Sequence, residues 1–268
     1  MRSPIVSVVV NNYNNEKYLK ECLDSLIDQT YKNIEIVVVD ALSTDGSRKI
    51  IDSYALKYSQ IRVIYSDIYI KYPAISYNLG FLNCTGDYIA VNDPDDISMP
   101  TRIEKQLEYL VSNPDVDVVG SNVVEFNDTM EHIMPTTVEK NVCLARPPAR
   151  NPTLMFRKSV MAAHGLWRWE CEYAADFEWL YRWYSAGVKF YILEDALVKY
   201  RYAHGSNLSI TYSVNQTFKL ATFRTYFGLK MFKSSGLKWW IVTLETYYYL
   251  CSILFKRCLK KVLNSSNK

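Results

Sequence analysis

No two of the six cysteines form a C-x-x-C pair. Cys22, Cys84, Cys143, Cys171, Cys251 and Cys258 are spaced without pattern, which argues against a zinc site or a disulfide framework and leaves buried, reduced thiols as the expectation. Histidine is scarce, and His132, His164 and His204 lie far apart in the chain. A secretory leader is not expected, because "PIVSVVV" is too short for a signal-peptide core and runs straight into the polar "NNYNN". The expected location of the chain's body is therefore the cytoplasm. Residues 239–255 are too few and too polar to span a hydrocarbon core of ~30 Å. There is no internal repeat and no low-complexity linker. Strong net charge is lacking too, at only +3 overall. That charge is unevenly placed: Lys219 to Lys268 holds ten Lys or Arg and one acid, Glu245, so this segment carries +9 and the first 218 residues carry 3 − 9 = −6. An acidic body with a basic tail does not suit an ordinary nucleic-acid-binding domain, and no nucleic-acid partner is expected. It suits a protein that leans on an anionic surface by one end.

What is present is the material of one large α/β domain, or one domain plus an extension. The chain has 268 residues, 49% apolar and 22% charged, which is ample for a core. β-Branched runs at 5–10, 34–40, 61–66 and 86–91 predict buried strands. Between them, 16–29 has Leu19, Cys22, Leu23, Leu26 and Ile27 at helical spacing. "STDGSRKIIDSYALKY" (43–58) begins a second helix with Ser43 or Thr44 as its cap, and a third opens at Pro73. Such alternation predicts a parallel sheet with helices on both faces. Further on, the patterns predict a helix over 101–113, a strand over 116–126, loops over 127–150 and a strand over 152–158. A helix over 174–187 and two short strands then close the domain.

Sheets of this kind bind ligands at the carboxyl ends of their strands. Three polar clusters fall at those ends: Asn11 to Asn15, Asp40 to Asp45, and Asn92 to Asp96. Any one alone reads as a turn or a helix cap, but three at the ends of the first, second and fourth strands converge. In the last cluster, "VNDPDDISMP", Asp93 and Asp95 are two apart, so in an extended segment they project the same way, with Pro94 stiffening the backbone between them. Crowded carboxylates repel one another and cost desolvation energy. A divalent cation shared with a diphosphate and water would relieve both, since hard cations take oxygen ligands.

The segment "VSVVVNNYNNEKYLKECLDSLIDQTYKNIEIVVVDALSTDGS" resembles the opening of family 2 of the inverting, nucleotide-sugar-dependent glycosyltransferases. "TGDYIAVNDPDDISMPTRIEKQ" is similar to that family's DxD segment, including the downstream Met-Pro and Arg-Ile. "NPTLMFRKSV", "AADFEWLYRW" and "KYRYAHGSNLS" resemble its acceptor-side and base-bearing segments. The resemblance runs from about residue 4 to 210. It implies a GT-A, Rossmann-like fold, an α/β architecture with a mostly parallel sheet flanked by helices. The catalytic domain would span 1–215, with a nucleotide-sugar half at 1–100 and an acceptor half at 101–215. A helical extension would follow at 216–268. The implied activity is transfer of a sugar, with inversion, from a nucleoside-diphosphate donor, a UDP-sugar first, to a hydroxyl of a glycan or lipid-linked glycan. The implied cofactor is Mn2+ or Mg2+. By the same resemblance Tyr13 would stack on the base, with Asn11 beside it. Asp40 would lie near the base or ribose, Asn78 would line the nucleotide side, and Asp93 would approach ribose or metal. Asp95 would be the metal ligand and Asp176 the catalytic base. Asp176 and Glu178, two apart on a helix, cannot both face one cleft.

The chain departs from the family pattern at Ala41, where a second acid is usual, at Asn11-Asn12, and near Tyr77, where a basic residue is common. A nucleotidyltransferase is the rival enzyme reading, but "NNYNNEKY" lacks the Gly- and Lys/Arg-rich loop of that class. A degenerate binding module or partner subunit is the rival outside enzymes, favoured by Ala41 and opposed by the intact Asp93, Asp95 and Asp176. In the tail, Trp240, Leu244, Tyr247, Cys251, Leu254, Cys258 and Val262 share one helical face. A basic helix with such a face suits peripheral contact with the cytoplasmic face of a membrane. It suits equally well packing on the domain or on a second copy in a homodimer.

Overall fold

The computed structural model describes residues 3–66, 73–127, 130–135, 149–168, 171 and 175–202. The tail from 216, the 215/216 boundary, His204 and three of the cysteines (Cys143, Cys251 and Cys258) lie outside the described residues. The other three, Cys22, Cys84 and Cys171, are free and buried, as expected.

The first half is the parallel core. β1 (Val6–Asn12) is central, with β2 (Ile34–Asp40) on one side and β4 (Tyr88–Asn92) on the other, and β3 (Ile61–Tyr65) lies beyond β2. The β-branched runs dictate this, since a strand covered on both faces has no use for polar alternation. Val8, Val10, Ile36 and Val38 pack with Leu19, Leu23 and Leu26 of α1 (Glu16–Ile27), Ile51 of α2 (Ser47–Lys57) and Ile103 of α4 (Arg102–Ser112). Val9, Val37 and Val39 point the other way. They pack with Phe81 of α3 (Pro73–Leu82) and, through it, with Trp179 and Trp183 of α6 (Ala175–Ser185). Burying each such side chain stabilises the fold by roughly 1.5–3 kcal/mol. Gly80 lets α3 approach closely, because a Cβ there would sit 2.6 Å from Val9 Cγ1.

The second half extends the same sheet. β8 (Met155–Arg157) runs antiparallel to β4, and β6 (Val118–Phe126) antiparallel to β8. β9 (Phe190–Arg201) lies parallel to β6, and the two-residue β5 (Ile97–Ser98) caps β9. β7 (Glu131–Met134) pairs off the path with β6. Among the described residues six strands therefore run one way, and β5, β7 and β8 oppose them.

Several local expectations are revised. Ser43 and Thr44 do not cap α2. Its first N–H groups meet Asp45, whose Oδ1 accepts from Ser47 N at 3.0 Å while Oδ2 accepts from Glu16 N at 2.9 Å. One carboxylate thus caps the starts of two helices. The two short strands at the end are one, β9. Its partner register slips between Ser121 and Val123, where Glu194-Asp195 bulges out, and that polar pair reads as a break in the sequence. The stretch 127–150 is not all loop, since β7 returns on β6 through a turn in which Met130 N donates to Asn127 Oδ1 at 2.9 Å. Pro152 keeps Asn151–Thr153 in a 3-10 turn, so β8 is only three residues long, and α5 (Lys158–His164) follows it directly.

Candidate active site

The carboxyl ends of β1, β2 and β4 share one edge, because Asn12 is in register with Asp40, and Val10 with Asn92. At the β1–β2 end, polar side chains fix the loops. Asp40 is fully buried, and its carboxylate accepts from Asn12 Nδ2 at 2.9 Å, Ser43 N at 3.1 Å and Arg48 Nε at 2.7 Å. Every one of those donors is protein, so the Asp40 carboxylate ties the ends of β1 and β2 to the start of α2. Arg48 in turn lies 5.0 Å from the Tyr65 ring. The loops take left-handed turns at Asn14 (φ 52) and Leu42 (φ 61), which suits asparagine better than leucine. Tyr13 stands at the rim, 43% exposed. Asn11 is half-buried, and its Oδ1 has no partner among the described residues.

The β4 end carries the acids. Asp93 to Asp96 form a turn closed by Asp96 N donating to Asp93 O at 3.2 Å. Tyr77, buried in α3, donates its hydroxyl to Asp93 Oδ1, and Asn151 Nδ2 approaches the same oxygen at 3.5 Å. Asp96 is buried, with Oδ1 accepting from Arg201 N at 2.9 Å and Oδ2 unpaired. Asp95 is half-buried, and among the described residues only its own N–H reaches its carboxylate. Burial and then the Asp95 charge push Asp93 up to about 7, against the pull of the Tyr77 hydroxyl. Burial, then Asp93 and Asp95, holds Asp96 well above the usual carboxylate range.

Among the described residues one cation is fully buried. Arg102, in the first turn of α4, is fully buried. It donates to Asn92 Oδ1 at 2.8 Å, Ser98 Oγ at 2.9 Å and Val91 O at 2.7 Å. These partners are all neutral, and burial lowers its own pKa to about 10. Arg102, with Arg201 acting on Asp95, faces three crowded carboxylates, and Asp96 Oδ2 has no partner among the described residues.

These residues fit a divalent cation. Among the described residues no three His, Cys, Asp or Glu side chains form a metal cage. Asp95 is available and Asp93 partly so. That matches an ion taking one or two carboxylates from protein and the rest of its shell from phosphate and water.

Asp176 opens α6, half-buried, with Phe177 N donating to its Oδ1 at 2.7 Å. Burial pushes it up to about 6. Its charge also raises Asp93, so the two carboxylates lie within electrostatic reach of each other. Glu178 is buried on another side of the helix. It is held by Arg182 Nε at 2.9 Å and lies 3.6 Å from Arg168. Arg182 in turn donates to the carbonyls of His164 and Leu166.

The structure therefore puts Asp93 and Asp95 in one turn, with Asp176 in electrostatic reach of Asp93, and sets Asn11, Tyr13 and Asp40 at the neighbouring strand ends. Asn78 stands apart: its amide donates to Trp167 O at 2.8 Å and accepts from Trp167 N at 3.0 Å. It buttresses Trp167, whose ring is 4.6 Å from Tyr77. Tyr77, Arg102, Asn151 and Arg201 escaped the sequence reading as site residues. The Arg-Ile after Met-Pro was the one visible signal, for Arg102.

A profile of the family described as "Glycosyl transferase family 2" matches residues 7–166. EpsE of Bacillus subtilis, assigned as a glycosyltransferase, is 33% identical over 219 residues, covering 79% of each chain. Among solved structures, S. aureus TarS in complex with UDP-GlcNAc superposes with a TM-score of 0.69 at 19% identity, over 93% of this chain and 71% of that one. The mannosyltransferase PcManGT of Pyrobaculum calidifontis, in complex with GDP-Man and Mn2+, gives 0.63 at 17% identity, over 93% and 70%. At such identities the structural likeness speaks for the fold, and the profile and the sequence relative speak for the family. By both, this chain is a glycosyltransferase of family 2 with the GT-A fold.

Proposed function

We propose that the chain transfers a sugar, with inversion and with the help of Mn2+ or Mg2+, from a nucleoside-diphosphate sugar to a hydroxyl of a glycan or lipid-linked glycan acceptor. The observation that supports this most is the crowding of Asp93, Asp95 and Asp96 in one turn at the carboxyl edge of the sheet, with the Asp176 charge reaching Asp93. A UDP-sugar is the first choice of donor. The UDP-GlcNAc bound to TarS supports it, and the GDP-Man and Mn2+ bound to PcManGT support the broader class.

In this reading Tyr13 stacks on the base beside Asn11. Asp40 holds Arg48 at the rim, and Asp93, steadied by Tyr77 and Asn151, meets the ribose. Asn78 keeps Trp167 behind Tyr77. Asp95, with Asp93, would hold the cation, which when bound supplies neutralising charge for the diphosphate. Asp176 accepts the proton of the acceptor hydroxyl. The freed oxygen forms its bond to the anomeric carbon from the face opposite the diphosphate, and that leaving group departs with the electron pair of the broken C–O bond. A carboxylate lifted to about 6 is a better proton acceptor at neutral pH than an ordinary aspartate. The basic tail would bring the domain to an anionic membrane surface, where a lipid-linked acceptor lies.

The test is release of nucleoside diphosphate from a panel of UDP-, GDP- and dTDP-sugars with Mn2+, with and without glycan acceptors. Acceptor-stimulated release from one nucleotide class is expected. No release from any donor, by folded protein, would contradict the proposal.

A further inference from the structure

Arg201, the last residue of β9, touches more of the site's framework than any residue proposed above. Its N–H donates to Asp96 Oδ1 at 2.9 Å, and its Nε donates to the Asp95 carbonyl at 3.0 Å. Its remaining fork reaches Glu21 on α1. The guanidinium lies between two rings, 4.4 Å from the Tyr18 centroid and 4.5 Å from that of Phe126. One side chain thus joins β9, β6, α1 and the acid turn.

We propose that Arg201 is a positioning residue that fixes the Asp95–Asp96 peptides so that the Asp95 carboxylate stands ready for a divalent cation bound with the nucleotide. The inference rests on the reading of the site given above and deepens it. Its logic lies in which atoms are held. Asp95 is gripped by its carbonyl, while its carboxylate receives no hydrogen bond from another described residue. The backbone is immobilised and the ligating group is left open, which is what pre-organisation of a metal ligand requires. The ring sandwich orients the guanidinium plane without occupying its donors. Lysine could supply the charge but not the planar fork, since its ammonium is a point charge on a flexible stem. Because α1 starts just after the Tyr13 loop, the Glu21 contact also ties the acid turn to the nucleotide end of β1.

The experiment is calorimetric titration of UDP and of GDP into wild type, Arg201→Gln, Arg201→Lys and Glu21→Gln, each in Mn2+ and in EDTA, with a thermal melt of each protein. Outer-shell changes cost metal sites about 10–100-fold in affinity. The expected result is a loss of about tenfold or more in nucleotide affinity in Mn2+ for both Arg201 variants, with affinity in EDTA unchanged. Glu21→Gln, which leaves both bonds to the acid turn in place, should lose much less. If Arg201→Gln fails to fold, Arg201→Lys carries the test. Retention of the wild-type gain on adding Mn2+ in the Arg201 variants, whatever their melting temperature, overturns the proposal. So does an equal loss with and without metal, which would make Arg201 merely structural. A wild type with no metal-dependent gain for either nucleotide would overturn the reading of the site itself, and this inference with it.

Discussion

Asp176 and Asp93 raise a question of charge that each answers through its surroundings. Asp93 is pinned by donors from Tyr77 and Asn151, whereas Asp176, among the described residues, meets the start of its own helix and is lifted to about 6 by burial. The proposed base must be ionised to accept a proton, so turnover should rise as the pH passes upward through about 6 and level off above it. Asp176→Asn, nearly isosteric, should lower kcat by ~10²–10⁴-fold and abolish that acid limb, while nucleotide affinity stays within about twofold of wild type. Full turnover in the variant, or a lost donor affinity, would assign Asp176 another role. The carboxylates were legible in the sequence because a buried β-branched strand cannot end in three acids without a reason. Arg102 was not. An arginine in the first turn of an amphipathic helix reads as surface, and only the closing of β5 and β8 over it buries it. Asp40 was legible as an acid at the end of a buried strand, but its three protein donors were not, because Asn12 and Arg48 are brought to it only in the folded chain.

At the scale of elements, α6 has two distinct faces. The Asp176 charge reaches Asp93, while Glu178 holds Arg182, which clamps the carbonyls of His164 and Leu166. Removing one partner of a buried pair leaves the other uncompensated, so Glu178→Gln should destabilise the domain by roughly 3–5 kcal/mol in urea unfolding. The folded fraction should keep its turnover, opposite in pattern to Asp176→Asn. Turnover lost at unchanged stability would move the base to Glu178. The parallel strands were legible because burial on both faces prints uninterrupted Val and Ile. β9 was misread because its bulge puts Glu194 and Asp195 in mid-strand, and β7 because four residues, Glu131 to Met134, half of them charged or histidine, carry no strand signature. Hairpin closure and register are decided by partners far off in the chain.

At the scale of the molecule, the distribution of charge is the remaining guide. No helix among the described residues is long and apolar enough to cross a membrane, and the excess of nine positive charges lies between Lys219 and Lys268. Each basic residue near an anionic surface contributes roughly 1 kcal/mol, screened by salt. The full chain should therefore sediment with anionic vesicles and less so with neutral ones, whereas a chain ending at Gly228 should remain in solution. Equal sedimentation of both, or a truncated chain that does not fold, would assign the tail to the domain or to a dimer. The central claim is that the acid turn after β4 receives a cation together with a nucleoside diphosphate, and the most direct measurement is calorimetric titration of UDP and GDP into wild type and Asp95→Ala, with Mn2+ and with EDTA. The account predicts binding of one nucleotide by wild type that strengthens about tenfold or more with Mn2+, and no such gain in Asp95→Ala. Equal, metal-independent affinities in the two proteins would contradict it.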